Sequence, residues 1–215
     1  MKNTISILLI VLVSQLFADN SKSTDKKYPF NYGKIQDNIY TNPYFGFSIT
    51  VPANWTIQNK TQIDFVMSKG KDIIEFKDEA VSKAVDKMDI SSMTLLMTSK
   101  HEIGAPVDFN PSIIIMAEDV SMYPGIKKGS DYLFQVKKQF QNSNMNYTMA
   151  ADYDSLMLSD IKFDVLACTK DESIIHLNYL CAIRKKYALF FIMTYSNDDE
   201  KEELLNFVKT TQFQK

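Results

Sequence analysis

The chain of 215 residues is 45% hydrophobic, 23% charged and 12% aromatic, with a formal net charge of −2. This apolar content excludes wholesale disorder but is too low for several membrane spans. A chain of this length buries about 70% of its unfolded surface without needing a metal or a disulfide. With a pI near 5.7, a single arginine at Arg184 and no basic cluster along the sequence, nucleic acid is not an expected partner, because phosphate binding needs clustered positive charge.

At the N-terminus Lys2 precedes an uncharged apolar stretch, Ile5–Val13 (ISILLIVLV), and Leu16 and Ala18 occupy the −3 and −1 positions of a cleavage after Ala18. Extended through Phe17 the run has 13 residues, short of the roughly 20 that span a bilayer. Residues 1–18 are therefore expected to be a signal peptide that exports the chain, leaving no membrane span once removed. If retained, because Leu16 is large for its position, they become a tether. No cysteine lies near the cleavage point, which excludes a lipid on an N-terminal cysteine. Asp19–Lys27 carries no apolar residue, and residues 19–35 read as a polar tail in which Tyr28, Phe30 and Tyr32 are either an extended arm or loose linker aromatics. Without an internal repeat or a second linker, residues 36–215 are expected to form one domain.

Ile39–Tyr40 begins an edge strand that ends at the Asn42–Pro43 turn signal. Phe45–Val51 places Phe45, Phe47, Ile49 and Val51 on one face of a half-buried strand, which Pro52 stops; Trp55 follows in the turn or the next short strand. The period then becomes helical, with Ile74, Val81, Val85 and Met88 on one side and Gly70 as a break between two pieces. Met93–Thr98 and Ile113–Ala117 read as strands. Asp131–Phe140 reads as a helix with Leu133, Val136 and Phe140 inward and Ser130 or Asp131 as its N-cap.

Three antiparallel strands follow, Phe163–Thr169, Ile174–Ile183 and Tyr187–Tyr195, joined by the polar turns 170–172 and 184–186. Ala188–Met193 (ALFFIM) is apolar at every position, so both faces of that strand should be covered. The last helix starts near Asn197 with Asp198, Asp199 and Glu200 at the positive end of its dipole, and Phe213 can pack back beyond it. A turn at 170–172 puts Cys168 opposite about residue 174. Cys181 then lies roughly 24 Å further along, too far for a disulfide despite the oxidising compartment.

Tyr40, then Tyr44-Phe45-Gly46-Phe47, then Pro52 and Trp55, resemble the opening of the PsbP-like superfamily, and the meander, acidic final helix and terminal Phe213 resemble its ending. The resemblance spans roughly residues 39–213. It implies an α+β fold, a central antiparallel β-sheet between helical layers. It also implies a history of binding rather than catalysis, as in an extrinsic photosystem II subunit, a Ran-binding nuclear-import factor and bacterial envelope proteins. It carries no active site over to this chain.

The residues themselves offer little catalytic chemistry. His101-Glu102 begins like a zinc-protease HExxH, but Ala105 stands where the second ligand belongs. His176 sits within a strand, Cys168 has no evident activating partner, and no nucleophile elbow or phosphate-binding glycine loop exists. The Asp198–Glu203 run lacks the alternating oxygens and turn glycine of a calcium loop, and the methionines are too dispersed for copper. No catalytic residue, metal or cofactor is therefore expected. Asn54, Asn59 and Asn146 stand in glycosylation sequons, which matter only in a host that uses them.

The expected function is an exported, non-enzymatic binding or assembly module with a protein partner in a bacterial envelope or periplasm. The alternative is a carrier of a small molecule or glycan on the aromatic edge of Tyr40, Tyr44 and Trp55. Trp55 also has a purely structural reading, as a cap on the sheet.

Overall fold

The computed structural model describes residues 32–72, 74–77, 79, 83 and 94–214. The expected signal peptide, most of the polar tail, and Val81, Val85, Met88 and Met93 lie outside them. An eight-stranded sheet runs β4 (Thr56–Ile57), β5 (Thr94–Ser99), β6 (Ser112–Asp119), β11 (Tyr187–Tyr195), β10 (His176–Arg184), β9 (Ile161–Lys170) and β7 (Tyr147–Met149), with β8 (Asp154–Leu158) also on β9. A smaller sheet runs β1 (Lys34–Gln36), β2 (Ile39–Asn42), β3 (Phe47–Thr50) and β12 (Gln212–Phe213). Every strand pair is antiparallel among the described residues. The class is α+β, as expected.

The large sheet is covered on both faces. Its inner strand β11 is buried at all nine positions: Ala188, Phe190 and Ile192 face one core, Leu189, Phe191 and Met193 the other. Helices α1 (Lys60–Lys71) and α2 (Gly129–Gln141) close the first core through Ile63, Met67, Leu133, Val136 and Phe140. The second is closed by α3 (Asp198–Lys209) and the small sheet, which contribute Leu204, Phe207, Val208, Phe47 and Ile49. That layer is thus mixed rather than wholly helical.

Several boundaries differ from the sequence expectation for local physical reasons. The first strand forms at Lys34–Gln36, so residues 34 and 35 belong to the sheet rather than the tail, and β2 lies inside it rather than at an edge. Helix α1 ends at Lys71, one residue past Gly70, and Ile74 lies in the non-helical segment that follows rather than on a helical stripe. Asn59 caps the start of the helix, accepting from the Gln62 amide while the Gln62 side chain accepts from the Asn59 amide. Helix α2 starts at Gly129, not at Asp131. Asp131 sits one turn in and reaches back to accept from the amides of Lys127 and Lys128, so an acidic residue inside the first turn looks like a cap in sequence. The turn after β9 is longer than three residues, since Lys170 N–H donates to the Ile175 carbonyl. This puts Cys168 opposite Leu177 rather than residue 174.

The corrected register still separates the thiols. Cys181 faces Asp164, four residues beyond Leu177, or about 14 Å along the strand. Both are buried in the first core, where burial pushes the Cys168 thiol up to about 12 and that of Cys181 well above its ordinary value. Alkylating the unfolded, unreduced protein should add two adducts to the intact mass; a monomer with none would contradict the β9–β10 pairing.

The docking of α2 is tight. Ser130 N–H donates to Asp164 Oδ2 at 2.7 Å, and Tyr132 Oη–H donates to Glu118 Oε2 at 2.6 Å, a carboxylate only 1% exposed. At Gly129 a Cβ would stand 2.0 Å from the Cys181 carbonyl oxygen. Gly129→Ala should therefore force the helix start off β10 and lower stability by about 1–3 kcal/mol in thermal or urea unfolding. An unchanged transition would mean that the helix does not approach the strand this closely.

Candidate functional site: a cationic end of the sheet

The three aromatic candidates occupy different positions. Tyr40 is 2% exposed; its hydroxyl donates to the Tyr32 carbonyl at 2.8 Å and accepts from Asn42 Nδ2 at 2.9 Å, and burial pushes it well above its ordinary value. Trp55 is 7% exposed, packs edge-on against Phe207 and donates from Nε1 to Glu203 Oε1 at 3.0 Å. Tyr44 alone is half-buried, set edge-on against Phe45 and Tyr187. A shallow groove of about 570 Å³ lies between β3 and α3, where Pro52, Phe207 and the carboxylates of Asp199, Glu202 and Glu203 meet. None of the three aromatics is part of its lining.

The remaining candidates are also kept apart. His101 is exposed on the loop after β5, its backbone clasped by the Asn110 carboxamide. His176 stacks on Tyr195, with Nδ1 3.1 Å from Thr169 Oγ1. Cys168 pairs with Leu177 and Thr169 with His176, so the thiol and the imidazole point to opposite faces of the sheet. Among the described residues no three metal-ligating side chains converge.

What the fold does gather is charge. The register places the β10–β11 hairpin, the start of β9, the end of β6 and its following loop at one end of the sheet. That end carries Lys127, Lys128, Lys162, Lys185 and Lys186, all exposed, with the half-buried Arg184. Its carboxylates are largely turned inward. Asp119 accepts from the Ser121 amide, Asp131 from those of Lys127 and Lys128, and Asp164 from Ser130 with the Lys162 ammonium 3.5 Å away; Asp160 is exposed. In the chain these cations are one lone lysine, one pair and one run of three, far apart. Only the strand register shows that they share one end.

The opposite end is acidic. The β9–β10 turn brings Asp171 and Glu172, the β5–β6 loop brings Glu102 and Asp108, and the start of α3 brings Asp198 and Asp199, all exposed. The cations there are occupied. Lys100 bridges Glu203 at 2.6 Å, and Lys170 and Lys201 sit over the rings of Tyr147 and Tyr195.

The cationic hairpin has an unfavourable backbone. Lys185 and Lys186 form its two-residue turn with φ of 49° and 67°, the left-handed pair that Asn-Gly satisfies cheaply. Left-handed backbone at a lysine costs of the order of 1 kcal/mol. The turn is held by Lys185 Nζ, which donates to the Tyr44 carbonyl and lies 4.9 Å from the Tyr44 ring centre, and by Val120 N–H, which donates to the Lys186 carbonyl at 2.9 Å. The following loop raises Met122 to 78% exposure, the most exposed large apolar side chain among the described residues.

The molecule is thus an α+β protein with a two-faced antiparallel sheet whose charges are sorted to opposite strand ends. No protein-family model and no curated protein matches its sequence. Among solved structures it is similar to cyanobacterial PsbP (CyanoP) from Synechocystis sp. PCC 6803, a solution structure. The two share 9% identity and a TM-score of 0.47 over 82% of this chain and 91% of that one, a likeness of fold alone.

Trp55 belongs to the scaffold rather than the cationic end. Partial burial works to raise the Glu203 carboxyl, but hydrogen bonds from Lys100 and Trp55 and the Lys100 charge outweigh it and hold the group below its ordinary value. Trp55→Ala removes a buried ring and one of these donors. It should cost about 3–5 kcal/mol of the roughly 5–15 that hold a domain together. A variant that melted with the wild type but lost binding would instead make Trp55 a contact residue.

Proposed function

We propose that the chain is an exported, non-enzymatic binding module of the cell envelope, and that it engages its partner through the cationic end of the sheet. The observation that carries this reading is the segregation of exposed lysines from exposed carboxylates across a sheet packed on both faces. A sheet so packed is rigid, and rigid elements hold the loops at their ends in fixed relative positions. Charge sorted in this way orients an encounter and rejects like-charged surfaces. Export is supported by the Lys2–Ala18 pattern, with its short apolar run and small residue before the cleavage point. A non-catalytic role is supported by the raised thiol of Cys168 and by its separation from His176 across the sheet.

Photo-crosslinking in the native envelope tests the reading. A crosslinking side chain at position 122, at the cationic end, should give discrete adducts, to a protein or to lipid, and the same group at position 172, at the acidic end, should give none. Adducts of equal yield from both positions, or from neither, would overturn it. So would turnover of a defined substrate that disappeared in Cys168→Ala or His101→Ala.

A further inference from the structure

Resting on that reading, we infer that the cationic end docks on an anionic phospholipid surface, with the Lys185–Lys186 hairpin and the 120–128 loop facing the headgroups. The shape of this end is the first argument. It is a set of protrusions, a two-residue hairpin beside a loop whose Met122 is 78% exposed with Lys127 and Lys128 following it. A peptide ligand takes a groove or an open strand edge, and the open strand edges here, β4, β7 and β8 of the large sheet and β1 and β12 of the small one, run along the flanks of the sheets and not across the Lys185–Lys186 tip. A flat, deformable interface instead accepts a protruding apolar tip ringed by lysines.

Charge complementarity is the second argument. A molecule with a net charge of −2 is repelled by an anionic bilayer unless its charges are sorted. Here β11 alone, nine residues at about 3.4 Å each, puts the two ends about 30 Å apart. That is nearly four times the Debye length of about 8 Å at physiological salt, so the acidic end is screened from a surface that the cationic end touches. Each lysine near an anionic leaflet adds attraction.

Sedimentation of the full chain with phosphatidylcholine vesicles, and with vesicles that also contain phosphatidylglycerol, tests the proposal at low and high salt. The wild type should partition to the phosphatidylglycerol vesicles and be released by salt. K127E/K128E/K185E/K186E should lose about tenfold or more of that partitioning while its residual binding to neutral vesicles stays unchanged. Because reversing the turn lysines can disturb the hairpin, Met122→Ser is the companion variant. It should melt with the wild type and bind anionic vesicles severalfold more weakly. An environment-sensitive dye on Met122→Cys should shift to the blue on anionic vesicles, and the same dye on Glu172→Cys should not. Equal binding to both vesicle types, insensitivity to salt, or a dye response at 172 rather than 122 would overturn the proposal. If vesicles fail to bind but position 122 crosslinks to a protein in the envelope, the lipid assignment falls and the binding-module reading stands; if both fail, both fall.

Discussion

Everything in this structure depends on β11 having no solvent face. A strand in an antiparallel sheet commonly alternates between core and water, and one face suffices to hold it. Here Ala188, Phe190 and Ile192 demand one cover, and Leu189, Phe191 and Met193 demand another, so a single layer cannot bury the strand. The chain meets the first demand with α1 and α2. The second is met by segments distant in sequence, the small sheet from the beginning and α3 from the end. The aromatic contacts follow that division. Phe190 stacks on Tyr132 of α2, and Phe191 meets Phe47 edge-on while stacking on Phe163.

With both faces committed to packing, only strand ends and loops are left for recognition. On the proposed reading, function is carried by charge and shape at the ends of the strands rather than by a pocket between layers. Tyr40 and Trp55 illustrate the consequence. Both sit near the aromatic-rich opening of the domain, where sequence suggests a ligand edge, yet both have turned inward to serve the second core, their polar atoms satisfied within it. The left-handed lysines of the β10–β11 turn point the other way, since neither packing nor turn propensity favours lysine there.

How legible this was in the sequence varies with how local the signal is. The ALFFIM run identifies a strand covered on both sides, and the alternation of Phe45, Phe47, Ile49 and Val51 identifies one buried face, because each pattern is complete within a few residues. Strands β1, β7 and β8 carry mostly exposed or half-exposed side chains and exist because a neighbour supplies their hydrogen bonds, so no period announces them. The Asp37–Asn38 turn that folds β1 onto β2 does have a local signature, two residues tolerant of positive φ. The cationic end is the opposite case. Its lysines, two pairs and the single Lys162, are separated by tens of residues, and a net charge near zero conceals them. A misplacement of three residues in the β9–β10 register leaves the ends recognisable but shifts every facing pair.

The closure of the small sheet sets an order on folding. Strand β12 pairs with β3, Phe213 opposite Phe47, and Gln214 N–H donates to the Gly46 carbonyl at 2.8 Å. The first strands of the fold are therefore completed by a segment about 160 residues further along, and α3, which seals the second core, lies just before that segment. Contacts between such distant segments form slowly, since the chain between them must first be closed into a loop. Until that distant segment docks, Phe45, Phe47, Ile49 and Val51 lack part of their cover. Closure of this kind makes the second core a late and cooperative event, formed only when two segments from far apart in the chain have met over β11.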